Sequence, residues 1–220
     1  MSIFRQRKPV SERNRKFEAR HQFQSIQEIA RLYTEGLEKE AAESTLSYLI
    51  DTVARDLCSS AIAQPLYKEH CQPVFSGFPF QWIDQNDNYH ALHSTAVNVD
   101  LARCFVYVNP WDNRRMRDSL LHLQNCSFLF KPENHHAFFY PELSLCCVIN
   151  GNHSINAGRY FRKGTIQASS MNLCDLFPHI ETDGANWYHV HKNTICSAVS
   201  DFRFAALYYL AKRRWSRRNL

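Results

Sequence analysis

The turn Asn150-Gly151-Asn152-His153-Ser154 has the residue types needed to handle a phosphate. An apolar run, LSLCCVI, precedes it and reads as a buried strand. The segment SINAGRYF follows and reads as a short helix that can pack Ile155, Ala157 and Phe161. A glycine at such a turn lets a ligand approach the backbone, and the amides free at the helix start, expected at Ser154, Ile155 and Asn156, favour an anion. His153 at this mouth could donate to a phosphate oxygen or move a proton near neutral pH, which makes His153 and Asn150 the candidate catalytic residues. Gly151, Asn152 and Ser154 are the candidate phosphate contacts. The plainer alternative is an ordinary strand-to-helix turn in which His153 only caps the helix.

Upstream lies VDLARCFVYVNPWDNRRMRDSLLHLQN, which reads as a strand, an Asn-Pro turn, a basic pair and an amphipathic helix. Met116, Leu120 and Leu123 share one helix face, and Asp112 or Asn113 is the expected cap. With this segment in place the chain resembles the ParB/sulfiredoxin-like superfamily over about residues 97 to 168. Asn109, Pro110, Arg114 and Arg115 match the family's first box, and Gly151, Asn152, His153 and Ala157 match its Gly-x-His-Arg box. Ser154 stands where the family has arginine, so the side chain that grips a nucleotide phosphate is missing. Arg114, Arg115, Arg159 and Lys163 are the cations available to replace it. The resemblance implies a phosphate pocket between the boxes, with Asn109, Arg114 and Arg115 on one wall. It also implies a nucleotide as ligand, with a divalent cation as companion. The helix-turn-helix domain of chromosome-partitioning relatives is not evident, because residues 170 to 199 are aromatic and strand-like.

Other chemistry-bearing residues point less far. His135 and His136 precede Asn150 at a spacing similar to the first two positions of an HNH nuclease. The third ligand position, however, holds Gly158 or Arg159, so no metal site is assigned. His189 and His191 alternate on an expected strand and so share a face. The DQNDN segment at Asp84 and Asp87 lacks the glycine and terminal glutamate of a calcium loop and reads as a polar turn. Trp82, Tyr89, Trp111 and Trp187 could stack bases or anchor a core. Eight cysteines contain no CxxC pair and fall in apolar runs, so all are expected as thiols.

The elements that must position these residues follow from periodicity. Between Ser25 and Leu57 apolar residues recur at three and four spacing, giving two amphipathic helices with a weak point at Gly36 and a stop at Pro65. Phe128 to Phe130 and Ala137 to Tyr140 read as short strands, GTIQA as another, and NWYHVHKNTIC as a strand pair. A final helix, SDFRFAALYYLAKRRW, is capped by Ser200 or Asp201. The expected fold class is α+β: a basic arm and helices over 1–65, a mixed-sheet ParB/sulfiredoxin-like core over 66–199, and a basic helix over 200–220.

With 45% hydrophobic and 21% charged residues the composition is globular, which excludes wholesale disorder and fibrous repeats. The net charge of +5 is concentrated at the two ends. Arg213, Arg214, Arg217 and Arg218 are therefore candidate nucleic-acid contacts, or else the outer face of a helix whose Phe202, Leu207 and Leu210 dock a protein partner. No apolar run is long enough for a membrane span, and the first residues lack the apolar stretch of a signal peptide, so the expected location is the cytoplasm. The functional expectation is a bacterial or phage protein engaging nucleotide or nucleic-acid phosphate as a nuclease or phosphotransferase, in a mobile-element or defence setting. The alternative is a non-catalytic binding or interaction subunit with a degenerate pocket.

Overall fold

The computed structural model describes residues 11–67 and 77–218. Two N-terminal helices, α1 (Glu12–Thr34) and α2 (Lys39–Tyr67), meet at Gly36, whose φ of +69° breaks the run where the sequence places its weak point. α1 starts within the basic segment and not at Ser25, because Ser11 caps it by accepting from the Asn14 amide. α2 does not stop at Pro65. The helix carries that proline in its last turn, and the Pro65 carbonyl accepts from Asn113 Nδ2 at 3.0 Å.

The chain continues through a small hairpin, β1 (Gln81–Ile83) and β2 (Tyr89–Ala91), then β3 (Ser94–Asp100), β4 (Phe105–Tyr107) and α3 (Asn113–Asn125). There follow β5 (His136–Tyr140), β6 (Leu145–Asn150), α4 (Asn152–Tyr160), β7 (Thr165–Met171), β8 (Ile180–Thr182), β9 (Asn186–His189), β10 (Thr194–Ala198) and α5 (Phe202–Arg218). The fold is α+β, with N-terminal helices, a mixed central sheet and a C-terminal helix. Phe128 to Phe130 form no strand; the Phe128 ring instead fills the space that a Cβ at Gly158 or Gly164 would occupy.

The central sheet has the order β3-β7-β5-β6-β4, with β4 parallel to β6, β5 antiparallel to β6 and parallel to β7, and β3 antiparallel to β7. Side chains of β6 alternate between two cores, as a strand covered on both faces requires. Leu145 and Cys147, opposite Tyr140 and Phe138, join the core made with α2 and α5, whereas Cys146 and Val148 join the smaller core under α4. One apolar cluster runs from Phe23 of α1 through Leu46, Ile50 and Leu57 of α2 to Phe204, Leu207 and Leu210 of α5. The helices at the two ends of the sequence are thus one layer against the sheet. A second sheet, β10-β9-β8, carries the fully buried Trp187 into the same core.

The seven described cysteines are free, and Cys71 lies outside the described residues. Among the described residues no helix is long and apolar enough to cross a membrane.

Candidate phosphate pocket

The site is built on the turn from β6 into α4. Gly151 has φ +84°, in the left-handed region, and a Cβ there would lie 2.5 Å from His135 Cδ2 and 3.0 Å from the Asn134 carbonyl oxygen. Backbone conformation and space both demand glycine. No side chain caps α4, and the Ile155 amide already returns to the Gly151 carbonyl at 2.9 Å. The open amides at the positive end of the helix dipole are therefore those of Asn152, His153 and Ser154. This corrects the expected set of Ser154, Ile155 and Asn156: Gly151, and not Ser154, turns the chain, so the helix begins two residues earlier.

The two boxes singled out in the sequence meet here. The Asn109 amide donates to Asn152 Oδ1 at 2.8 Å, and the Asp112 amide donates to His153 Nε2 at 3.1 Å. Asp112 caps α3 by accepting from the Arg114 and Arg115 amides, and those donors, Arg115 foremost, hold its carboxyl below the usual range. The Trp111 ring stands edge-on to His153 at 5.4 Å, and the Arg115 guanidinium lies 5.2 Å from the Trp111 ring centre. Trp111, Arg115 and the residues 151–154, with Asp118, Ser119, Asn134 and Asn150, line a cavity of about 380 Å³; Asn109, an expected phosphate contact, is not part of that lining. Of the four cations that could replace the missing arginine, Arg115 alone lines it. Arg114 is not part of the lining, Arg159 lines a different cleft, and Lys163 donates to the Leu123 carbonyl at 3.0 Å.

The hydrogen bonds fix the proton positions. Because a backbone N–H donates to Nε2 of His153, the neutral ring carries its hydrogen on Nδ1. Burial lowers the His153 pKa and so favours that neutral ring. His135, nearly fully buried, is arranged in mirror fashion: the Lys131 amide donates to its Nδ1 at 3.1 Å. Its hydrogen is therefore on Nε2, which donates to Ser154 Oγ at 2.9 Å, and the Ser154 hydroxyl in turn donates to the Gly151 carbonyl at 3.1 Å. Both imidazoles have their basic lone pair on a backbone amide. His135 cannot draw the proton from Ser154, so the pair is not a nucleophile with its base. Asn150 is exposed and donates through Nδ2 to Asn134 Oδ1 at 3.4 Å. What converges on the cavity is three amides, one guanidinium and the neutral His153 imidazole, with the Asp118 carboxylate beside them.

Asn134, Asp118 and the locking role of His135 were not legible in the sequence. His135 reaches Ser154 because β5 pairs with β6 in the register His136 opposite Asn150, and no spacing rule encodes that.

The remaining candidates are placed elsewhere. Arg213 donates to Tyr209 Oη and Thr34 Oγ1, Arg214 to Ser47 Oγ and the Glu142 carbonyl, Arg217 to the Thr34 carbonyl, and Arg218 to Glu43. All four hold α5 against α1, α2 and the β5–β6 connection. His189 is buried in β9, but His191 lies in the following turn, so the two do not share a strand face. Trp82 stacks on His90 and His179, and Trp187 is core. Asp84 accepts from the Asn86 and Asn88 amides, as a polar turn requires. Among the described residues no group of three or more His, Cys, Asp or Glu is placed to hold a metal ion.

A family model described as a family of unknown function, DUF6710, matches residues 7–215, and the chain belongs to that family. No curated protein and no solved structure matches it.

Proposed function

We propose that this DUF6710 chain is a phosphate-binding protein, similar in its pocket to the ParB/sulfiredoxin-like superfamily, that engages a nucleotide or nucleic-acid phosphate at the start of α4 without turning it over. One observation carries the binding reading over the catalytic one: the basic nitrogens of His153 and His135 both accept backbone N–H groups, so neither imidazole is free to act as a base. Three amides and Arg115 suit phosphate oxygens, and the Trp111 ring beside them suits a base or ribose. A divalent cation would arrive on the nucleotide's own phosphates, with Asp118 as the carboxylate at hand. This reading places the protein in the cytoplasm, in the mobile-element or defence setting that the superfamily resemblance suggests. Its helical layer would serve as the face for a protein partner.

The second reading, a nuclease or phosphotransferase, is favoured by one feature. The Nδ1–H of the neutral His153 ring could donate a hydrogen bond to a leaving oxygen and stabilise the charge that develops there.

Calorimetric titration with a nucleoside triphosphate, with and without magnesium, and with a short oligonucleotide separates the two. The binding reading expects saturable uptake without product, weakened about tenfold by Arg115→Ala. Turnover that collapses in His153→Ala would replace it with the second reading, and failure to bind any of the three ligands would sink both.

A further inference from the structure

A different cavity, of about 530 Å³, opens between α2, the β3–β4 turn and the C-terminal end of α4. Four arginines line it: Arg55 from α2, Arg103 from the turn, Arg159 from the last turn of α4, and Arg162 just beyond. Among the described residues its lining holds one carboxylate, Asp51, and Asp100 reaches Arg103 from outside at 3.4 Å. The other arginines have weak or no internal partners. Among the described residues Arg159 is half-buried and donates through Nε to Asn156 Oδ1 at 3.4 Å, and Arg55 rests 5.4 Å from the Phe105 ring centre. No hydrogen bond or ion pair engages the Arg162 guanidinium among the described residues.

Clustering like charges in one concavity is unfavourable unless an anion joins them. Beyond Asp51 and the outlying Asp100 the lining supplies no anion. Burial pushes the Cys58 thiol up to about 12 and the Cys104 thiol up to about 11, so both stay neutral. The Ser59 and Ser144 hydroxyls add neutral donors. A half-open cleft of this size falls in the range of small-ligand pockets, roughly 300–1,000 Å³, and is not a flat strip of the kind that tracks a polymer.

We infer that this cleft is a second anion site, separate from the pocket at the other end of α4, and that it takes a small molecule carrying two or three linked phosphates. Guanidinium forks hold such groups through paired N–H donors, and four arginines against the carboxylates of Asp51 and Asp100 leave a net positive charge in the cleft for linked phosphates to balance. The inference does not depend on what the first pocket binds.

The test uses inorganic triphosphate and the full chain. In Arg115→Ala, which removes the one cation of the first pocket, calorimetry is expected to show one equivalent still bound, with a rise in melting temperature. Adding Arg55→Ala and Arg162→Ala, both exposed side chains whose loss leaves the core intact, is expected to weaken that binding about tenfold or more. No uptake by Arg115→Ala, or uptake indifferent to the added changes, would overturn the site. If oligothymidylate displaces triphosphate at lower concentration and through the same arginines, the small-ligand assignment is overturned in favour of a nucleic-acid backbone.

Discussion

The basic helix α5 and the turn at the head of α4 make opposite use of polar residues. In sequence α5 is the more conspicuous, with Arg213, Arg214, Arg217 and Arg218 crowded into its last two turns. In the folded chain each of those guanidinium groups has an acceptor on another element or on α5 itself, and the helix is cemented to its neighbours. The α4 turn contributes no cation of its own, yet it presents open amides, a left-handed glycine and a histidine whose hydrogen is directed by the backbone. A count of positive charge measures neither case. What separates a binding surface from a structural one is whether the donors already have acceptors.

The sharpest way to break that comparison is at Gly151. Gly151→Ala forces a Cβ against His135 and the Asn134 carbonyl at a left-handed φ, and should cost about 2 to 4 kcal/mol by chemical denaturation, with loss of phosphate binding. A neutral result would mean the turn is looser than the contacts require.

Next comes Arg214→Ala, which removes a half-buried guanidinium joining Ser47 to the Glu142 carbonyl. The expected loss is about 1 to 3 kcal/mol of stability, with oligonucleotide affinity unchanged. Unchanged stability together with weakened oligonucleotide binding would turn α5 back into a nucleic-acid face.

The histidines give a pH-dependent effect. Burial lowers the pKa of both His135 and His153, so the unfolded chain takes up protons that the folded chain refuses once the pH falls below about 6.5. Stability present above that value is therefore lost as the pH drops toward 5. The urea midpoint should fall over this window, and His135→Gln should flatten the slope. An identical slope in the variant would show that His135 is not one of the groups responsible.

The smallest effect is expected at Arg218, whose own side chain is more than half exposed in its pair with Glu43. Arg218→Ala should cost no more than about 1 kcal/mol, less at high salt, and leave both anion sites untouched in calorimetry.

Much of this arrangement is legible in the sequence where the controlling physics is local. LSLCCVI announces a doubly covered strand, Gly36 a break and Asp112 a helix cap, because each depends on a few adjacent residues. The pairing of the Asn-Pro turn with the Gly-Asn-His turn is not local and is legible only through a resemblance that spans both boxes. Pro65 misleads because a proline in the last turn of a helix removes little, and Phe128 to Phe130 mislead because an apolar run can fill space over glycines as readily as it can pair as a strand. The His135–Ser154 lock and the arginine cleft depend on which distant elements pack together. Arg55, Arg103 and Arg162 are far apart in the chain and become one feature only after α2 is laid beside the β3–β4 turn.

The central claim is that the first-turn amides of α4 receive a phosphate. Amide-resolved NMR during titration with a nucleoside triphosphate tests it most directly. The account predicts saturable shifts at the backbone amides of Asn152, His153 and Ser154, together with the Arg115 side chain, all following one binding curve, with the three amide curves moving together to about tenfold higher concentration in Arg115→Ala. Amides at those three positions that stay fixed while the nucleotide binds elsewhere would contradict it.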